Sequence, residues 1–229
     1  MQLVIGNKNY SSWSMRPWVL MKQLGIAFEE IRLSLNLGAG FGEAVRPYSP
    51  ARRVPVLLDD GFAVWDSLAI VEYLHERLPG HGVWPADARA RARARSLAAE
   101  MHAGFGALRS ACPLNVEAAL GELGARLVAE QPALRKDVAR IEAMWSDALA
   151  ASGGPYLFGE WSAADAYYTP VAQRLRTYGV PVSTATESFA NRLLAAPGAT
   201  AWIAEALAEH EFMPDNEPYR TSGTSGTGR

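Results

Sequence analysis

The 229-residue chain carries 22 basic and 24 acidic side chains, a formal net charge of −2, and 49% of it is hydrophobic. That length buries a substantial core in one or two domains, and so even a charge balance gives no general pull toward nucleic acid or an anionic membrane. One cysteine, Cys112, excludes an intrachain disulfide and any CxxC redox or zinc motif, so thiol chemistry requires a thiol from outside.

The opening MQLVIGNKNY has no basic stretch leading into a long apolar run, and nowhere do the roughly 18 uninterrupted apolar residues of a membrane span occur. The expectation is a soluble cytoplasmic protein. Residues 3–6 (LVIG) read as a buried strand, and residues 15–24 (MRPWVLMKQL) as a helix capped by Ser14 and stopped by Gly25. FEEIRLSL (28–35) alternates like a strand. VPVLLDDGFAVWD (54–66) holds two short strands around Asp60-Gly61, the two-residue signal of a tight hairpin. SLAIVEYLHERL (67–78) sets Leu68, Val71, Leu74 and Leu78 on one helical stripe. The order is strand, helix, strand, an irregular or short helical stretch, hairpin, helix: an α/β unit in which a small mixed sheet is covered by helices.

PGHGVWP (79–85) breaks this pattern and reads as a linker. It divides the chain into a domain over 1–79, a linker over 80–87 and an all-helical domain over 88–216. In the helical part a long helix is expected over 88–111, with Leu97, Met101, Phe105, Leu108 and Cys112 spaced by three and four. PALRKDVARIEAMWSDALAA repeats the pattern with Leu134, Val138, Ile141 and Trp145. In FGEWSAADAYYTPV (158–171), Ser162 and Asp165 have capping-box spacing, a folding element of about 1 kcal/mol. The run ARARARAR (88–95) spreads its arginines over two helix sides and reads as a solvated face, while Trp18, Trp145 and Trp202 read as core. The Gly/Ser/Thr-rich end, TSGTSGTGR, has nothing to bury and is assigned with residues from 217 onward to a disordered tail.

Three stretches carry chemistry. NYSSWSMRPW (9–18) gathers Ser11, Ser12 and Ser14 at the start of a helix, where one serine would suffice as a cap. RRVPVLL (52–58) puts Val54-Pro55 at the head of a strand. A cis bond there would turn the Val54 N–H and C=O sideways toward an extended peptide, although only about 5–6% of X-Pro bonds are cis. Asp66-Ser67 lies at a strand-to-helix junction, where free N–H groups suit a carboxylate and the Asp66 side chain suits an ammonium, together a grip for an α-amino acid; a plain N-cap needs the same residues.

Taken together, SSWSMR, PYSPARRVPVLLDDGFAVWDSLAIVEYL and FGEWSAADAYYTPV resemble the glutathione transferase superfamily over about residues 1–215. The resemblance implies a thioredoxin-like N-terminal domain of order βαβαββα, an all-helical C-terminal domain, a homodimer, glutathione as co-substrate, a small-molecule electrophile as second substrate and a part in detoxification. It implies no metal, and the charge balance and hydropathy above argue against a nucleic-acid or membrane partner. It assigns glutathione binding to Arg53, Val54, Pro55, Asp66 and Ser67, with Pro55 cis. Arg53 stands where a Lys or Gln is common, and Asp66 is one methylene shorter than the usual Glu.

The zeta-like pattern Ser-Ser-Cys-Ser-x-Arg aligns Ser11 with the serine acting on the thiol, whereas a theta-like Ser-x-x-x-Arg spacing selects Ser12. Trp13 replaces the cysteine of the zeta-like pattern. Arg16 is assigned a structural role bridging toward the helical domain. The second substrate is expected between the domains, against Trp13, Met101, His102, Phe105 and Arg109. Arg174 and Arg176 are weaker candidates, because the carboxylate-binding arginine of zeta-like isomerases does not fall at their distance from Pro170. The reading is a serine-type transferase. An isomerase of the maleylacetoacetate type, a glutathione-dependent dehalogenase or peroxidase, and a non-catalytic protein of the same fold are its alternatives.

Overall fold

A computed structural model gives the structure of the protein and describes residues 1–221. Its N-terminal part is built on a sheet of order β2-β1-β3-β4, from β1 (Gln2–Ile5), β2 (Glu29–Arg32), β3 (Val56–Asp59) and β4 (Phe62–Val64). β1 runs parallel to β2 and antiparallel to β3, pairing Leu3 with Glu30 on one side and with Leu57 on the other. Alternation along β1 divides its apolar residues between the two faces. Leu3 and Ile5 join Leu57 under α1 (Ser12–Gln23) and α3 (Ser67–Arg77), whereas Val4 joins Val56 and Val45 of α2 (Phe41–Val45) on the opposite face. Asp60 and Gly61 both have positive φ, at 50° and 84°, as the predicted hairpin turn between β3 and β4 requires. The order is βαβαββα, the thioredoxin-like arrangement.

The helical part contains α4 (Ala88–Ala103), α5 (Gly106–Ala111), α6 (Leu123–Glu130), α7 (Pro132–Ser152), α8 (Ala163–Tyr178), α9 (Thr184–Ala195) and α10 (Pro197–Glu209). α8 runs through the centre with nearly every side chain buried, and Asp165 fastens its start. The Asp165 carboxylate accepts the Ser162 N–H at 2.9 Å, the Leu157 N–H at 3.1 Å and the Ser162 hydroxyl at 3.2 Å. α1 packs against α8 and α10. Gly198 makes the second contact close enough to matter, since a Cβ there would stand 2.6 Å from the Val19 carbonyl oxygen. Trp18 meets Trp202 edge-on at 5.3 Å across this seam, and with Trp145 all three are buried. No helix among the described residues is long and apolar enough to cross a membrane.

Three expectations change. α1 begins at Ser12 rather than Met15, and Ser11, not Ser14, is its N-cap. The helix expected over 88–111 is two helices, broken at Gly104–Phe105, where Phe105 takes φ +56°. The periodicity of Leu97, Met101, Phe105 and Leu108 conceals the break because all four are buried on either side of it. Finally, the chain past α10 stays packed beyond residue 217: Glu217 is buried, the Tyr219 hydroxyl donates to the Ala111 carbonyl at 2.8 Å, and Arg220 pairs with Glu217 and Glu117. The remainder of the predicted tail, residues 222–229, lies outside the described residues.

Candidate active site

The site is built where the start of α1, the head of β3 and the start of α3 face α4, α5 and α8. Ser11 caps α1: its hydroxyl oxygen accepts the Ser14 N–H at 3.3 Å and its proton goes to Ser14 Oγ at 2.7 Å, which also receives the Gly6 N–H at 3.2 Å. Ser12, the first helical residue, is arranged differently. Its oxygen accepts from Arg174 Nη2 at 3.1 Å, and its hydroxyl proton goes to no group among the described residues. Arg174 reaches it from α8 while donating through Nε to the Cys112 carbonyl at 2.9 Å. Ser12 is the first residue of α1, so a hydroxyl, a guanidinium behind it and the positive end of a helix are concentrated at one spot.

The Val54–Pro55 bond is cis, as is Trp65–Asp66. Val54 is half-buried, and its main-chain N–H and C=O have no hydrogen-bond partner among the described residues, leaving both available to an extended peptide. Arg53 is exposed beside it. Asp66 is the N-cap of α3: one carboxylate oxygen accepts the Leu68 N–H at 3.0 Å and the other stands 3.2 Å from His102 Nε2 on α4. Ser67 is buried, with its hydroxyl 3.3 Å from that of Tyr167 on α8.

Trp13 projects from α1 toward the helical part. The Arg16 guanidinium lies 4.2 Å from its ring centroid, that of Arg109 at 4.8 Å, and the His102 ring meets it edge-on at 5.1 Å. Cations stacked on an indole are attracted by its ring quadrupole. Arg16 also lies over Tyr167 at 4.8 Å; it is 1% exposed, and its Nε and Nη1 have no hydrogen-bond partner among the described residues. Burial pulls the Arg16 guanidinium down to about 10 and that of Arg174 down to about 9, the latter helped by the charges of Arg16 and Arg109. Both therefore remain charged at neutral pH. None of Arg16, Arg109 and Arg174 forms an ion pair with a carboxylate among the described residues. Burial lowers the His102 pKa, Asp66 works against it, and Arg16 and Arg109 push it further down.

Of the residues expected around a second substrate, Trp13, His102 and Arg109 come together, whereas Met101 and Phe105 are packed into the core. The break before α5 is the reason: it takes Phe105 off the helical stripe that would have joined it to His102 and Arg109. Arg16 does bridge toward the helical part, through Tyr167. Arg176 is exposed and donates to Gln173 at 2.6 Å, away from the serines. Sequence reasoning passed over Tyr167, which at helical spacing reads only as core. Arg174, a weaker candidate on sequence, is buried against Ser12, and an arginine in a largely apolar and small-residue helix is a signal for a buried cation.

Residues 10–77 match the family model described as glutathione S-transferase, N-terminal domain, and residues 86–205 match the corresponding C-terminal domain. Mouse glutathione S-transferase theta-1 is 33% identical over 97 residues, 42% of this chain and 39% of that protein. Rat maleylacetoacetate isomerase is 34% identical over 86 residues, 38% of this chain and 40% of that protein. The matched region thus spans about two fifths of the length of these relatives. A glutathione transferase homologue from Burkholderia BGR1, solved with bound glutathione, superposes with a TM-score of 0.69 at 26% identity, covering 90% of this chain and 97% of that one. With a family model for each half of the fold, and the second alone spanning more than half of its length, the chain belongs to the glutathione S-transferase family.

Proposed function

We propose that the protein is a glutathione transferase in which the Ser12 hydroxyl holds the glutathione thiolate. In this reading Val54 pairs with the cysteinyl main chain beside cis-Pro55, Asp66 and Ser67 take the γ-glutamyl end, and Arg53 lies within reach of an exposed carboxylate. The observation that carries the choice of serine is the Arg174 contact: with its oxygen occupied by a guanidinium, Ser12 has its proton left to give. Ser11 gives its proton to Ser14 and serves as the cap. A thiol near pKa 8.5 is mostly protonated at neutral pH, and a donor to the sulfur favours the ionised form. The thiol proton leaves to solvent, the sulfur lone pair forms the new C–S bond, and the electrophile releases its leaving group or accepts a proton at the neighbouring carbon.

Trp13, flanked by two guanidiniums that form no ion pair among the described residues, supports an electrophile that is polar or anionic beside its reactive carbon. The same feature supports the second reading, a glutathione-dependent isomerisation by reversible thiolate addition to a double bond, rotation and elimination; the rat relative is named a maleylacetoacetate isomerase. A cytoplasmic homodimer active in detoxification completes the proposal. The test is retention on immobilised glutathione together with conjugation of a general aromatic electrophile. A correctly folded protein that is not retained and conjugates nothing would instead be a non-catalytic member of the fold.

A further inference from the structure

The loop that delivers the two serines does not hold itself in place. Residues 7–10 are buried, yet the main-chain N–H groups of Lys8 and Asn9 find their partner some 200 residues away. Both donate to the Glu209 carboxylate, at 2.8 and 3.2 Å, and that side chain is 7% exposed. Asn7, whose main-chain carbonyl accepts the Ser11 N–H at 2.8 Å, donates through its side-chain amide to Glu211 at 2.7 Å. Tyr10, next to Ser11, gives its hydroxyl proton to the buried Glu217 at 2.7 Å while accepting the Met213 N–H at 3.2 Å. Carboxylates that accept two main-chain donors form charge-assisted bonds stronger than neutral ones. Three acids on one segment therefore govern a loop whose alternatives would leave buried donors unmade.

We propose that the end of α10 and the strap that follows it, through Glu209 at the helix's last residue and Glu211 and Glu217 beyond it, position the serine pair for the thiol, with Glu209 the principal positioning residue. The inference rests on the transferase reading and adds to it a long-range determinant of catalysis that touches neither substrate. Val54, Asp66 and Ser67 belong to other segments, so loosening the strap should displace the sulfur partner while leaving the glutathione grip in place. A shift of about 1 Å in a catalytic group costs on the order of 100-fold.

The experiment compares wild type, Glu209→Ala, Glu209→Gln and Tyr10→Phe in the full chain, reading kcat, KM for glutathione, and the pKa of bound glutathione from thiolate ultraviolet absorbance. The expected result is a kcat at pH 6.5 lowered at least 10-fold in Glu209→Ala and by less in Glu209→Gln, which keeps one acceptor. The bound-thiol pKa should rise in the same order, with the glutathione KM within about threefold of wild type. If Glu209→Ala does not fold, the Gln and Tyr10→Phe variants decide. Folded variants with lowered thermal midpoints but an unchanged kcat and thiol pKa would show the strap to be purely structural and overturn the inference. A wild-type protein that does not depress the thiol pKa would overturn the transferase reading itself, and this inference with it.

Discussion

Replacing Ser12 by alanine removes the hydroxyl whose oxygen is occupied by Arg174 and whose proton goes to no group among the described residues. A hydrogen bond to a charged group contributes about 1.5–3 kcal/mol. At 1.36 kcal/mol per pKa unit, losing it raises the pKa of bound glutathione by about 1–2 units. The start of α1 remains and retains its smaller share, about 0.3–1 kcal/mol. In Ser12→Ala the bound thiol should therefore titrate near pH 8 rather than near 6.5, lowering the thiolate fraction at pH 6.5 by roughly 10-fold or more. The assay is a pH titration of thiolate absorbance in the enzyme–glutathione complex, with the pH profile of kcat/KM alongside. Binding should change little, because Val54, Asp66 and Ser67 are untouched. A thiol pKa moved by Ser11→Ala and left within about 0.3 units by Ser12→Ala would refute the reasoning and return the role to Ser11.

Other consequences are accessible to simpler measurements. Burial pushes the Cys112 thiol up to about 12, so in the native protein it should resist a thiol-specific reagent at pH 8 and react at once on denaturation; rapid native labelling would contradict its placement. Asp165→Ala leaves the Ser162 and Leu157 N–H groups buried without their acceptor, at about 1–3 kcal/mol each. At about 2–4 °C per kcal/mol for a chain of this size, the thermal midpoint should fall by about 4–24 °C. His102, with its pKa below the ordinary value in the folded protein, binds fewer protons there than in the unfolded chain near pH 6. Its contribution to stability is therefore present above about pH 6.5 and lost on acidification, and His102→Gln should flatten the pH dependence of unfolding in that window.

Most of the fold is legible in the amino-acid pattern because local and tertiary demands agree. Asp60-Gly61 accepts positive φ where a hairpin needs it, and the alternation of Leu3, Val4 and Ile5 serves two different cores. Legibility fails where one signal satisfies two structures. Leu97, Met101, Phe105 and Leu108 are equally consistent with one helix and with two joined by a left-handed Phe105, since burial is demanded in both. Ser11 and Ser14 each satisfy the local rule for a cap, and the outcome depends on Gly6, whose N–H engages Ser14 from the end of β1. The site is legible to the extent that it follows contiguous motifs. Asp66 with Ser67 and the Val54–Pro55 step each stand out within a few neighbouring residues, whereas the cis bond itself follows only from the family resemblance. The pairing of Arg174 with Ser12, 162 positions apart, and the hold of Glu209 on Lys8 and Asn9 are tertiary facts to which no local pattern points.

The central claim, that Ser12 backed by Arg174 holds the thiolate of glutathione, is tested most directly by the structure of the glutathione complex. The account predicts the sulfur within hydrogen-bond distance of Ser12 Oγ, the Arg174–Ser12 contact intact and the cysteinyl main chain paired with Val54. A sulfur bound to Ser11 Oγ and out of hydrogen-bond reach of Ser12 Oγ would contradict it.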